Sequence, residues 1–236
     1  MKNHPKLPSL KGHRFPRSIV SYAVWTYFRF NMSLRDVEDL FAERGVAVSY
    51  ETIQSWVAKF GQQYARSIRR DLPKPHDKWH LDEVVIVIKG RKHWLWRAVD
   101  ASGDVLDILV QSRRNTKAAK RFMRKLVKQY GEPRVLITDK LRSYSAAKRK
   151  LISGVGHRQH KGLNNKAEVS HRQTRRREKV FGRFKSPRQA KMFLAAHDQI
   201  ACLFRPRRHI LSAFSYRHAR SDAHSLWSEY SAELNA

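Results

Sequence analysis

The spacing of apolar positions changes character near residue 78, from helical period to strand-like runs interleaved with helices. From Arg17, the residues Ile19, Val20, Ala23, Val24, Tyr27 and Phe28 mark one face of a helix. Ser33, with Asp36 three residues on, caps a second helix whose stripe is Leu34, Val37, Leu40 and Phe41. Gly45 stands where a left-handed residue closes a helix. Ser49 opens a third helix with Ile53, Trp56, Val57 and Phe60 inward. Two short helices joined by a glycine-containing turn read either as a helix-turn-helix or as a plain helical hairpin. In the first case Tyr50, Gln54, Ser55 and Lys59, on the outer face, are the DNA-contacting candidates. The basic stretch from Gln62 to Lys78 is broken by Pro73 and Pro75 and predicts a linker after a trailing helix.

Three strand-like runs follow, at 82–88, His93–Val99 and Val105–Val110, with Gly90 and Ser102-Gly103 as turns. The first is apolar at both parities, which predicts a central strand covered on both faces, with Asp82 at its mouth. Trp94 and Trp96 share one strand face and are predicted to be core. Asn115 caps a long helix closed by Gly131, and Arg134–Thr138 is a short buried strand ending on Asp139. A helix near Tyr144–Leu151, a short link to His157, and a helix opened by Asn164-Asn165 with Glu168 in its first turns come next. Ser186-Pro187 begins a further helix reaching Phe204. The predicted organisation is an N-terminal arm (1–16), a small all-α module and linker (17–77), an α/β domain (78–205) and a tail without assignment (206–236).

Charge adds a partner class to this outline. The 236 residues hold 49 Lys and Arg against 20 Asp and Glu, a net charge of +29. Such an excess repels itself unless a polyanion offsets it, and basic residues spread along the whole chain favour a long nucleic-acid track. No run approaches the length of a membrane span, and the N-terminus has no apolar signal core. Cys202 is the single cysteine, so an intrachain disulfide or a cysteine-built zinc site is excluded and a reducing cytoplasm is expected.

Chemistry enters through three acids. Asp82 and Asp139 lie at the ends of separate strands and Glu168 is offered by a helix, an order that can converge three carboxylates on one point. Hard divalent ions such as Mg²⁺ prefer carboxylate oxygens. A pair of such ions activates an attacking oxygen and stabilises the leaving one in phosphoryl transfer. Any one of these acids alone is more often a cap or a turn residue.

The run Lys161-Gly162-Leu163-Asn164-Asn165-Lys166-Ala167-Glu168-Val169-Ser170-His171, followed by Thr174-Arg175-Arg176-Arg177-Glu178, resembles the third-acid region of bacterial insertion-sequence transposases of the IS6 family. Trp79-His80-Leu81-Asp82-Glu83, Trp96-Arg97-Ala98-Val99-Asp100, Ser112-Arg113-Arg114-Asn115 and Thr138-Asp139-Lys140 agree with it, and the resemblance covers residues 13–205. It implies a DDE transposase, with a helix-turn-helix domain ahead of an RNase H-like mixed sheet flanked by helices. It places Asp82, Asp139 and Glu168 on the metal-binding triad, with Mg²⁺ as cofactor (two ions, replaceable by Mn²⁺). It implies binding to the terminal inverted repeats of an element, cleavage that exposes 3′-hydroxyls, and joining to target DNA by transesterification to give cointegrates. The chain departs from the family pattern at Gly156, Val169 and Arg172-Gln173, and none of these departures removes a triad acid.

On this reading Glu83 points to the sheet face opposite Asp82 and away from the metal. His171, one helical turn after Glu168, reads as a structural histidine or as a group reaching the scissile phosphate. Arg175, Arg176 and Arg177, with Lys140 and Lys166 beside the second and third acids, are expected on phosphates rather than base edges. Synapsis of two DNA ends requires at least a homodimer, in a bacterial cytoplasm and on the nucleoid, with neither membrane nor small-molecule substrate. The alternatives are an RNase H-like nuclease that hydrolyses without joining, and a helix-turn-helix regulator without enzymatic activity.

Overall fold

The structure is a computed structural model that describes residues 10, 12–30, 32–181, 184–206 and 208–234, with all their side chains except those of residues 161, 173, 177, 181 and 209. Most of the predicted N-terminal arm therefore lies outside the described residues. The chain forms two compact units, one of residues 1–72 and 196–236 and one of residues 73–195.

In the helical unit, α1 (Arg17–Arg29), α2 (Leu34–Ala42) and α3 (Tyr50–Asp71) start where the caps predict. Ser33 accepts a hydrogen bond from the Asp36 amide at 3.1 Å, and Asp36 accepts one from the Ser33 amide at 2.7 Å. Ser33→Ala removes half of that box and is expected to cost about 1 kcal/mol of stability, read from a lower midpoint of urea unfolding at unchanged m-value. Gly45, at φ 73°, makes the turn into α3. Helix α3 runs on to Asp71, into the stretch predicted as a linker, because Tyr64, Ala65 and Ile68 continue its buried face; the part after Leu72, with Pro73 and Pro75, is not helical.

The tail that yielded no assignment holds α8 (Ala213–Ala232), capped by Ser212. Trp227 stacks on Tyr64 of α3 at 3.9 Å and donates its indole N–H to Ser21 of α1 at 2.9 Å. Ser231 lies 2.6 Å from the Ser21 hydroxyl and 2.9 Å from that of Tyr64. The helix is held by aromatic stacking and hydroxyl contacts, which leave little apolar periodicity to read. Among the described residues no helix is long and apolar enough to cross a membrane.

The second unit is built on a five-stranded sheet in the order β3-β2-β1-β4-β5. These strands are β1 (Lys78–Ile88), β2 (Arg91–Asp100), β3 (Val105–Gln111), β4 (Val135–Thr138) and β5 (Gly156–Gln159). The first three form the predicted antiparallel meander, while β4 and β5 run parallel to β1. Strand β5 replaces the predicted link at His157; it is polar and mostly exposed, so no apolar run announced it.

Helices α4 (Thr116–Tyr130) and α5 (Arg142–Leu151) cover one face, over a core including Trp79, Leu81, Trp96, Phe122, Leu136 and Tyr144. Helix α6 (Asn165–Phe181) lies against β1 and β2 from the other face. A central β1 antiparallel to β2 and parallel to β4, with helices on both faces, is the RNase H-like arrangement that the resemblance implies. Helix α7 (Pro187–Leu203) belongs to this unit up to residue 195, so residues 196–205, assigned by pattern to the α/β domain, cluster with the helical unit.

Candidate metal centre and nucleic-acid face

Strand β1 begins at Lys78, so Asp82 sits within the strand rather than at its mouth. The opening comes from β4, which pairs with β1 only as far as Leu81↔Thr138. Asp139 is thus the next residue after the ladder ends, alongside Asp82. Its Oδ1 accepts the Leu141 amide at 2.9 Å, which fixes the carboxylate at the start of α5. Asp82 is directly opposite Arg97 of β2 and shares its face with α6, where His171 brings Nε2 to 3.4 Å from Asp82 Oδ2.

Glu83 is rooted on the other face, opposite Trp96, but its carboxylate does not face away. One oxygen from each of Asp82, Glu83 and Asp139 lies within 4.8 Å of the others. The pleat separates Cβ atoms, yet past the end of β4 no neighbouring strand keeps the two faces apart at this edge. The Glu83 side chain is 0% exposed. Its Oε2 accepts the Tyr144 hydroxyl at 2.6 Å, and its Oε1 accepts Arg114 Nε at 2.7 Å together with Arg114 Nη2. Burial pushes the Glu83 carboxyl up to about 6 against the pull of these two donors, and repulsion from Asp139 acts in the same upward direction. The Tyr144 phenol is raised by its complete burial and then by Glu83.

Glu168 occupies the first turn of α6, exposed and outside the group formed by the other three acids. With His171, Arg172, Arg175, Arg176 and Lys179 it lines an open cleft along the helix. His171 itself is mostly buried at the base of this cleft, with Nε2 on the side of Asp82. Lys140 and Arg176 are exposed, Arg175 lies 3.4 Å from Glu178, and the Lys166 ammonium is bonded to the Ala101 carbonyl. The Arg177 side chain is outside the described residues.

In the helical unit Gln54 and Ser55 are exposed, Tyr50 carries Arg35 over its ring at 4.7 Å, and Lys59 Nζ lies 2.9 Å from His13 Nε2. Sequence reasoning gave no role at the site to Arg114, Tyr144, Arg97 or Asn164. Arg97 and Arg114 lie within the stretches that carry the resemblance, but nothing in the pattern separates a buried arginine from the many exposed ones.

Asp82, within β1, and Asp139, the residue just past β4, offer hard oxygen donors, and this donor set suits a divalent cation of the Mg²⁺ type. Glu83 offers less, because both its oxygens already accept charged or buried donors.

A family model described as a DDE domain matches residues 76–207. The transposase for insertion sequence-like element IS431mec of Staphylococcus aureus is 32% identical over 208 residues, covering 86% of this chain and 92% of that one. The transposase for insertion sequence element IS257 in transposon Tn4003, also from Staphylococcus aureus, gives the same identity and coverage. Among solved structures, the catalytic core domain of BIV integrase matches 63% of this chain and 97% of its own, at 17% identity and a TM-score of 0.40. Matched across its acid-bearing sheet by the DDE-domain model and over most of its length by insertion-sequence transposases, the chain belongs to the IS6 family of DDE transposases.

Proposed function

We propose that this protein moves an insertion sequence by binding its terminal inverted repeats, cutting to expose 3′-hydroxyls, and joining these to target DNA by transesterification, giving cointegrates. The observation that carries the reading is the placement of Asp82 and Asp139 side by side at the end of β4, next to an arginine-lined cleft that holds Glu168. In this reading Asp82, Asp139 and Glu168 hold two Mg²⁺ ions, with Mn²⁺ as a substitute. The bound metal supplies Lewis-acid activation of the attacking oxygen and stabilises the leaving oxygen.

The chain's own residues do the rest. His171 holds the Asp82 carboxylate in place. Arg172, Arg175, Arg176, Arg177 and Lys179, with Lys140 and Lys166, bind phosphates, which makes binding fall steeply with salt. Residues 17–77 act as the module that binds the element ends through Tyr50, Gln54, Ser55 and Lys59, and 78–205 as the catalytic domain. The protein works as at least a homodimer, because two ends must be joined, in the bacterial cytoplasm on the nucleoid.

The test incubates the purified chain with a linear fragment carrying the inverted repeats that flank its gene, a supercoiled target plasmid and Mg²⁺. Joined fragment–plasmid products that vanish with chelator are the expected result. Cleavage without joining, even from a pre-cut 3′-hydroxyl end, would show a nuclease instead. Binding with no metal-dependent chemistry would show a regulator.

A further inference from the structure

Arg114 is built into this site more firmly than a surface cation needs to be. It directly precedes Asn115, whose side chain caps α4 by accepting the Ala118 amide at 3.0 Å, so its backbone is fixed. Its guanidinium lies over the Trp94 ring at 4.9 Å. The Nε–Nη2 edge is bonded to the fully buried Glu83, and Nη2 is also 3.5 Å from Asp139 Oδ2. Even so, the side chain is 36% exposed.

A counter-ion needed only to neutralise Glu83 requires neither an aromatic platform nor a second approach to Asp139. This one is packed over an aromatic ring, anchored along one edge, and partly exposed beside a candidate metal ligand. A planar fork fixed in this way matches the oxygens of a phosphodiester. Because its orientation is already set, little side-chain entropy is lost when it binds.

We infer that Arg114 binds a non-bridging phosphate oxygen of the DNA strand that enters the Asp82–Asp139 centre, with Glu83 and Tyr144 as the anchor that aims it. The inference rests on the transposase reading for the identity of the strand. It gives Glu83 a positioning role in place of metal ligation.

Full-length Arg114→Gln, Arg114→Lys and the double variant Glu83→Gln/Arg114→Gln test it. Mn²⁺ binding to the DNA-free protein, measured by titration calorimetry, should stay at the wild-type value or tighten in Arg114→Gln, since a cation beside the acids is gone. Affinity for a short linear duplex of mixed sequence, measured in Ca²⁺ over a salt series, should lose about one unit of log–log slope, the signature of roughly one phosphate contact. Joining in Mg²⁺ should fall about 10–100-fold, within the range expected for removing an aligned charge-stabilising donor or less. Arg114→Lys should recover the slope but only part of the joining.

The double variant has no unpaired buried charge and should stay as defective as Arg114→Gln. If it regains joining, Arg114 is a counter-ion and the inference is overturned. If Mn²⁺ affinity falls in step with joining, Arg114 acts by holding Asp139, and the phosphate contact is overturned. A wild-type protein that joins no DNA would refute the transposase reading, while the salt slope, which needs no turnover, still decides the Arg114 contact.

Discussion

Asp82→Asn and Asp139→Asn should each reduce DNA cleavage and joining by on the order of 10³-fold or more while leaving the chain folded, because the metal contribution they anchor amounts to several kcal/mol. The substitution keeps shape and removes charge. At position 139 the amide oxygen can still accept the Leu141 N–H, now made at 2.9 Å by the carboxylate. Taking one charge from three carboxylates whose oxygens lie within 4.8 Å of one another relieves repulsion, so the metal-free variants should melt at or above the wild-type temperature.

Mg²⁺ should raise the melting temperature of the wild-type protein and do so less or not at all in the variants, because a ligand that binds only the folded chain stabilises it by RT ln(1 + [L]/Kd), which falls as Kd rises. Circular dichroism with and without Mg²⁺ reads the first effect, and denaturing gels of the DNA products read the second. Near-normal joining by either variant would remove that acid from the centre. Glu168→Gln should behave like them in joining, although Glu168 stands apart from the other acids and its loss relieves none of their repulsion.

Helices α2, α3 and α4 were legible because their caps, Ser33, Ser49 and Asn115, are each followed by a clean apolar stripe. Asp139 was legible for a similar reason, because the apolar run of β4 stops just before it, whereas Asp82 was expected at a strand mouth and lies inside β1, whose first residues are not an apolar run. What escaped the sequence lacked that apolar signal. Strand β5 is mostly exposed, and α8 is held through Trp227, Tyr64 and hydroxyl groups.

The Glu83 expectation failed in a more instructive way. Pleat parity gave the correct face for its Cβ, since Glu83 lies opposite Trp96 and Asp82 opposite Arg97. Parity says nothing of where a long side chain ends once the neighbouring strand stops, and β4 stops at Thr138. Tyr144 and Arg114, from elements distant in sequence, then draw the carboxylate toward the edge.

Arg97 supplies the second large effect, in which stability and activity should separate. It is 1% exposed, directly opposite Asp82, and donates to the Ser170 carbonyl at 2.5 Å and the Thr174 hydroxyl at 2.8 Å, both on α6. Asn164, just before that helix, donates to the Leu81 carbonyl at 2.9 Å. These two side chains tie α6 to β1 and β2 on either side of Asp82, and so set where Glu168 and His171 stand.

Arg97→Met keeps the length and apolar stem but strips the donors. Leaving two acceptors without this partner costs about 1–3 kcal/mol each, while relief from burying a guanidinium returns several kcal/mol. The two largely offset, so the net loss of stability should be at most about 2 kcal/mol. Activity has no such offset: a displacement of about 1 Å in a catalytic group is enough for about 10²-fold, and loss of the helix's register should bring the fall in joining to about 10²–10³-fold.

Hydrogen exchange should show the α6 amides losing protection while those of β1 and β2 keep theirs. Asn164→Ala should have a smaller effect of the same kind, and the double variant less than the sum, because both residues act on one helix. If Arg97→Met joined DNA at the wild-type rate with α6 loosened, the position of that helix would not govern the chemistry, and Glu168 could no longer be assigned to the centre through it.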